Sequence, residues 1–251
     1  MKHSEFYKIR WHDTDANRVV RPSRLVSYMQ ETANAQLLAN GTSLDDLRDK
    51  QGLAFLLSRI TVHIYADLYT DDEICVQTWI CEGKGFRFDR CFRVLRGEEV
   101  VAEAYSMWAL LDLKNRRMLR ATEFSYGFEG DDPLPSEFYA RVRIPAPADM
   151  EKAGERRIVY SDIDYNGHMN NTHYPDMLCD FTPNILDLRV RALTLSFLHE
   201  GTFGHTLAVY RAEQEDGKFC FRTVDGDGVT CLEAVLTTEP RCKEREGRNE
   251  E

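Results

Sequence analysis

The stretch PSRLVSYMQETANAQLLANG, residues 22–41, and the run RITVHIY, residues 59–65, decide the fold between them. In the first, Leu25, Met29, Ala33 and Leu37 recur every fourth residue, with Pro22 where a helix can open and Gly41 where one can stop. In the second the period drops to two: Ile60, Val62 and Ile64 alternate with Thr61, His63 and Tyr65, the signature of a strand. Moving outward towards the N-terminus, Phe6 to Trp11 alternates with Tyr7, Ile9 and Trp11 on one face, which predicts a half-buried strand, and a polar stretch, Asp13-Thr14-Asp15-Ala16-Asn17, follows it. Ser43 with Asp46 resembles a capping box for a short second helix ending near Gly52. Downstream, Ile74 to Ile80, Phe86 to Leu95 and Val100 to Leu111 complete four successive strands, with Gly83, Gly85 and Gly97 near the turns. One long helix inserted between a first strand and an antiparallel meander is an α+β unit.

Between Gly127 and Gly154 the pattern lapses, and four of the chain's eight prolines fall there. The order then begins again. Arg157 to Ser161 reads as a strand, a polar stretch follows, and a short helix runs from about Asn171 to Phe181. Strand-like runs return at Arg189 to Leu198, Thr206 to Ala212, Lys218 to Val224 and Val229 to Thr238. The expected organisation is a first unit over residues 1–128, a linker over 129–153, a second unit over 154–240 and a charged, disordered tail over 241–251. The units look like a duplication. With Trp11 set against Tyr160, an offset of 149, Asp13 meets Asp162, Asp15 meets Asp164 and Asn17 meets Asn166. The informative mismatch is Val19 against His168.

Composition narrows the function. With 251 residues, 43% hydrophobic, the chain can build a core and is not a mainly disordered protein. No apolar run approaches the roughly 20 residues of a membrane span, and the first residues lack the apolar core of a signal peptide, so a soluble cytoplasmic protein is expected. A net charge of −10 argues against nucleic acid as a partner. The seven cysteines form no C-x-x-C pair and mostly sit in strand-like runs, which reads as reduced, structural thiols. Asp225-Gly226-Asp227-Gly228 fails as a calcium loop, because Val229 takes a ligand position, and reads as a hairpin turn. His168 and His173 do not argue a metal site, and no metal or organic cofactor is expected. The basic run Lys114 to Arg120 reads as a solvated hairpin.

One segment can carry chemistry. Residues 162–171 read Asp-Ile-Asp-Tyr-Asn-Gly-His-Met-Asn-Asn. In an extended segment Asp164, Asn166 and His168 share one side, and Asn170 and Asn171 are good helix caps, so the group is expected beside a helix N-terminus. A carboxylate, an amide, an imidazole and an anion-friendly helix end are the parts needed to hydrolyse an acyl group. The same residues also describe an Asx-rich turn with a cap. Cys179, well inside the helix, is expected to be a packing residue and not a nucleophile.

The order of parts resembles the fatty acyl–acyl carrier protein thioesterases, over roughly residues 5 to 240. Asp164-Tyr165-Asn166-Gly167-His168-Met169-Asn170-Asn171 resembles the family's D-x-N-x-H-x-N-N catalytic segment, and Glu200, at the end of the strand Leu193 to His199, sits where the family has a site glutamate. Trp11 to Asp15, Gln30-Glu31-Thr32-Ala33 and Leu57-Ser58-Arg59 resemble the first domain. The resemblance implies two tandem hot dog domains, each an antiparallel sheet wrapped around a helix, the first a non-catalytic, acyl-binding copy. It implies hydrolysis of acyl–acyl carrier protein to free fatty acid with Glu200 as general base, His168 holding water or the carbonyl, Asn166 bonding the carbonyl and Asp164 orienting the site. The implied partner is acyl carrier protein, with a homodimer left open; since both proteins are acidic, docking needs a local basic cluster, expected at Arg18, Arg21 and Arg24 around the first helix start in preference to the Lys114 to Arg120 hairpin. Acyl-coenzyme A hydrolysis and a non-catalytic acyl-binding protein are the alternatives. Plant members carry a Cys directly after the glutamate, where this chain has Gly201, and Pro175 is unusual so early in a helix.

Overall fold

The structure, a computed structural model, describes residues 1–241; the expected disordered tail and Cys242 lie almost wholly outside them. Strand β1 (His3–Lys8) precedes helix α1 (Pro22–Ala39), followed by β2 (Leu53–Ile64), β3 (Glu73–Ile80), β4 (Phe88–Arg96), β5 (Glu99–Asp112) and the short β6 (Arg117–Leu119). After the linker come β7 (Glu151–Arg157), α2 (Tyr174–Asp180), β8 (Leu188–Phe197), β9 (Thr206–Gln214), β10 (Lys218–Val224) and β11 (Thr230–Pro240). The strands form one antiparallel sheet in the order β1-β3-β4-β5-β2-β8-β11-β10-β9-β7, with β6 alongside β5. The order reads the same from both ends once β1 to β5 are matched with β7 to β11. This is the duplication expected from the sequence: two five-strand halves related by a pseudo-two-fold axis. The axis runs through the β2–β8 joint, where Thr61 pairs with Thr194 and their hydroxyls lie 3.2 Å apart.

Helix α1 forms for the reasons its sequence suggests. Pro22 occupies its first turn, and Leu25, Val26, Met29, Ala33 and Leu37 are buried against the sheet. Its end is a Schellman turn: Gly41, at φ +77°, donates to the Leu38 carbonyl, and Thr42 donates to that of Leu37. The side chains of α1 and α2 join Val62, Phe92, Leu195 and Phe221 in one core that crosses the joint. Residues 129–153 do more than tether. Leu134 and Phe138 pack on the outer face of the first half, with Phe138 stacked 4.3 Å from His63, and Val142 and Ile144 pack on the outer face of the second.

Several boundaries differ from expectation. Strand β1 ends at Lys8, and Trp11 lies in a 3-10 turn with 71% of its surface exposed, so it shares no buried face with Tyr7 and Ile9. The turn forms because the Asp13 carboxylate reaches back to the Arg10 N–H. The second half repeats this: Tyr160 lies in a turn held by Asp162 on the Val159 N–H, and the strand expected at Arg157 to Ser161 is instead β7, at Glu151–Arg157. Among the described residues β7 pairs only with β9, and an edge strand needs no apolar alternation. Strand β2 begins at Leu53, six residues before the alternation, because a bulge between Leu57 and Arg59 breaks its period. Helix α2 is short and preceded by a 3-10 turn over Asn171–His173, with Pro175 in its first turn, where the missing N–H costs nothing. No helix among the described residues is long and apolar enough to cross a membrane.

Candidate active site

The 162–171 segment folds as a tight loop between the turn at Tyr160–Asp162 and the 3-10 turn before α2. Asp162, almost fully buried, is its anchor. Its carboxylate accepts from the Val159 N–H and from Arg156 at 2.5 Å, with His173 Nδ1 3.5 Å away. Burial pushes this carboxyl up, but those donors outweigh it and hold it below the usual carboxylate range. Asn170 then caps the 3-10 turn by accepting from the Thr172 N–H. Within the loop, Gly167 takes φ +84° and donates to the Asp164 carbonyl, while Asp164 N–H donates to the carbonyl of His168. The chain thus turns back so that His168 forms a bridge with Thr202, and the Met169 N–H donates to the Gly201 carbonyl at 2.7 Å.

That bridge brings His168 to Glu200. His168 Nε2 lies 3.0 Å from Glu200 Oε2, with the carboxylate open to solvent and the imidazole about one-third exposed. Asp164 sits behind Asn166: its Oδ1 accepts from the Asn166 N–H at 2.8 Å, and its Oδ2 lies 3.5 Å from Asn166 Nδ2. All four expected residues, Asp164, Asn166, His168 and Glu200, therefore gather at one surface of the second half. A fifth group joins from the first half, unforeseen in the sequence: Arg48 donates to Asn166 Oδ1 and lies over the Tyr165 ring, 5.8 Å from its centroid. The arrangement can accept a proton, hold a polar group between an imidazole and an amide, and balance negative charge nearby. His173 faces Asp162, and no group of three potential metal ligands occurs among the described residues.

Two other groups are placed clearly. Cys179 is pushed up to about 12, first by burial and then by Asp176, Asp180 and Asp15, so it carries no thiolate at neutral pH. Gly201 is packed so closely that a Cβ there would stand 2.7 Å from Ile158 Cδ1 and 3.0 Å from the Tyr174 hydroxyl. A Cys at this position does not fit without movement of Ile158.

The first half builds the same loop without the imidazole. Val19 bridges Tyr69 as His168 bridges Thr202, and Val20 donates to the Leu68 carbonyl as Met169 does to Gly201. By this match Asp67 stands where Glu200 does. Asp67 is nearly buried beneath Arg189, Arg191 and Arg241 of the second half, with nitrogens at 3.3, 3.5 and 3.9 Å. Asp13, the counterpart of Asp162, is pushed up by burial, yet donors from Tyr28, Arg10 and Arg24 hold it below its usual range.

Comparison with known proteins agrees with this architecture. The profile of the acyl-ACP thioesterase N-terminal domain matches residues 1–125, and that of the C-terminal domain matches residues 147–234. The chain belongs to the acyl-ACP thioesterase family. It is 26% identical to the chloroplastic palmitoyl-acyl carrier protein thioesterase of Arabidopsis thaliana, over 77% of this chain and 51% of that one. It is 21% identical to the oleoyl-acyl carrier protein thioesterase of Coriandrum sativum, over 91% of this chain and 74% of the relative. The chain spans about half the length of the Arabidopsis relative. Among solved structures, an acyl-ACP thioesterase from Bacteroides thetaiotaomicron superposes with a TM-score of 0.86 at 21% identity, covering 95% of this chain and 98% of that one. The 12:0-ACP thioesterase of Umbellularia californica gives 0.83 at 17% identity, covering 96% and 98%. The fold is thus the tandem hot dog arrangement.

Proposed function

We propose that this chain hydrolyses the thioester joining a fatty acyl chain to acyl carrier protein, and that Asp164, Asn166, His168 and Glu200 form its active site. The observation that carries this reading is the 3.0 Å approach of His168 to Glu200 beside Asn166, in the one loop of the two that holds an imidazole. Glu200 takes a proton from water as the water oxygen bonds to the thioester carbon. His168 Nε2 shares that water or the carbonyl, and Asn166 Nδ2 donates to the carbonyl oxygen as it becomes an oxyanion. The C–S bond then breaks, the thiolate of the carrier's prosthetic arm leaves and takes up the proton, and the fatty acid is released. Asp164 orients the amide through the Asn166 N–H.

Residues 1–128 serve, in this reading, as the non-catalytic copy that receives the acyl chain. A second apolar cluster in these residues gathers Phe55, Phe88, Trp108, Leu110, Phe124 and Tyr126, the rings of Phe55 and Tyr126 lying stacked at 5.7 Å, and is the surface offered to the acyl chain. This apolar cluster begins at Leu53, beside the turn that carries Arg48. The acidic carrier meets the basic hairpin between β5 and β6. Leu113 donates to the Gly52 carbonyl there, so Lys114 and Arg116 stand beside the Arg48 turn. Arg24 is unsuited to docking because it is bound to the buried Asp13, and Arg21 reaches His12 and Asp176. A cytoplasmic setting fits the six described cysteines, all free thiols. The test is turnover of purified protein on acyl carrier protein and coenzyme A thioesters of graded chain length. Faster hydrolysis of the carrier protein series is expected. Acyl binding without turnover on either series would overturn the reading.

A further inference from the structure

Asn17 and Asn166 hold the same position in the duplicated loop. Each backbone N–H donates, at 2.8 Å, to the carboxylate of the Asp two residues earlier, Asp15 or Asp164. Their side-chain amides are turned opposite ways. In the first half, Asn17 Nδ2 donates to the Leu186 carbonyl at 2.9 Å, which commits its N–H group to the protein. In the second half, Asn166 presents Oδ1 to Arg48. A guanidinium has five donors and no acceptor, so the amide atom facing it must be the oxygen. On the other side Asp164 Oδ2, an acceptor, faces Asn166 Nδ2 at 3.5 Å. Both neighbours demand one orientation, and that orientation turns the amide N–H group away from Arg48.

Arg48 is held for this task by its own segment. Asp46–Gln51 forms a single π-helical turn, opened by Ser43 Oγ accepting from the Asp46 N–H at 2.9 Å. It is closed by Gly52 at φ +74°, whose N–H donates to the Arg48 carbonyl. Leu47, 1% exposed, anchors the turn, and its neighbour Arg48 is projected across to the second half. The Tyr165 ring beneath the guanidinium narrows its range further.

We propose that Arg48 is a positioning residue for the thioesterase reaction: it fixes the polarity of the Asn166 amide so that an Nδ2–H is aimed at the thioester carbonyl. The proposal rests on the assignment of Asp164, Asn166, His168 and Glu200 as the active site. It makes the site complete only when both halves are present, since the group that orients the amide comes from the copy whose loop carries Val19 in place of His168. The guanidinium also polarises the amide it holds, which strengthens the opposite N–H as a donor to an oxyanion.

The test measures kcat and KM for Arg48→Met and Arg48→Lys, each alone and combined with Asn166→Ala. Two substrates are used, an acyl carrier protein thioester and the same acyl group on pantetheine, and His168→Ala is run beside them. Losing an oxyanion donor costs 10²–10³-fold, and a donor left free to turn costs part of that, so Arg48→Met should lower kcat about tenfold on both substrates with KM within about twofold. Arg48→Lys, still donor-only, should recover part of the loss. In the Asn166→Ala background Arg48→Met should change kcat less than about twofold, because the amide it orients is gone. The same tenfold loss in that background, or a rise in KM confined to the carrier protein substrate, would overturn the proposal; the second result would make Arg48 a docking cation. Wild-type turnover by His168→Ala would overturn the site itself, a failure readable apart from the Arg48 results.

Discussion

Val19 and His168 occupy the same place in two copies of one loop, each bridged to the segment that follows the joint strand of its half, β2 or β8. Only the side chain differs, yet the surroundings have diverged with it: Glu200 stands open to solvent beside His168, and Asp67 is clamped under Arg189, Arg191 and Arg241. Restoring the imidazole alone should therefore not restore a site. In a His168→Ala background, Val19→His should add no measurable turnover. Any recovery above about 1% of wild type would show that the clamp leaves Asp67 usable as a base.

Gly201 should resist replacement by cysteine. The new Cβ meets Ile158 Cδ1 at 2.7 Å, and overpacking of this kind costs about 1–3 kcal/mol. Urea unfolding of Gly201→Cys should show that loss, and turnover should fall as the neighbouring Glu200 is displaced. Ile158→Val, which shortens the opposing side chain, should return part of the stability to the double variant. Wild-type stability in Gly201→Cys alone would mean the close packing is not as described.

The buried anchors Asp13 and Asp162 should govern acid sensitivity. Both carboxyls are held below their usual range when folded, so their contribution is fully present above the unfolded value of about 4 and is lost as pH falls through the folded values. Denaturant midpoints measured between about pH 6 and pH 2 should stay level at first and then fall below about pH 4. Asp162→Asn should lower stability at neutral pH by about 1–3 kcal/mol, since Arg156 loses its partner, and should flatten the acid limb. An unchanged acid limb in both Asp13→Asn and Asp162→Asn would place the acid-sensitive groups elsewhere.

Cys179 offers a sharp negative test. Its thiol, pushed up to about 12 by burial and nearby carboxylates, cannot act as a thiolate at neutral pH. Cys179→Ala should keep turnover within about twofold of wild type at a cost near ~1 kcal/mol for the methyl-sized gap. Loss of turnover with normal stability would point to nucleophilic catalysis by the thiol.

The legible parts of this fold are those where burial imposes a period. Helix α1 and strand β3 show in the sequence because one face of each meets the core, and β4 shows as a run with apolar residues on both faces because both are covered. Strand β7 does not, because Glu151-Lys152-Ala153-Gly154-Glu155-Arg156 lies at a sheet edge and is specified by backbone pairing. Trp11 and Tyr160 mimic strand residues in composition and are instead turn residues exposed to solvent. The loop at 162–171 was readable as a candidate site from its own ten residues. The correspondence of Asp67 with Glu200 was hidden because the offset between copies changes from 149 at the loops to 133 at β2 and β8, α1 having 18 residues and α2 only 7. Arg48 left no signal either, since its partner Asn166 lies 118 residues away and its own segment reads only as a capped surface turn.

The most direct test of the central claim is single-turnover hydrolysis of an acyl–acyl carrier protein thioester by wild type, His168→Ala and Glu200→Gln, with substrate binding measured in parallel. Glu200→Gln keeps the shape and the hydrogen bond to the imidazole but removes the base, and His168→Ala removes the group held 3.0 Å from it. Each variant should lose at least about 10²-fold in the chemical step while binding substrate within about threefold of wild type. Near-wild-type hydrolysis by either variant, with the fold intact, would contradict the account.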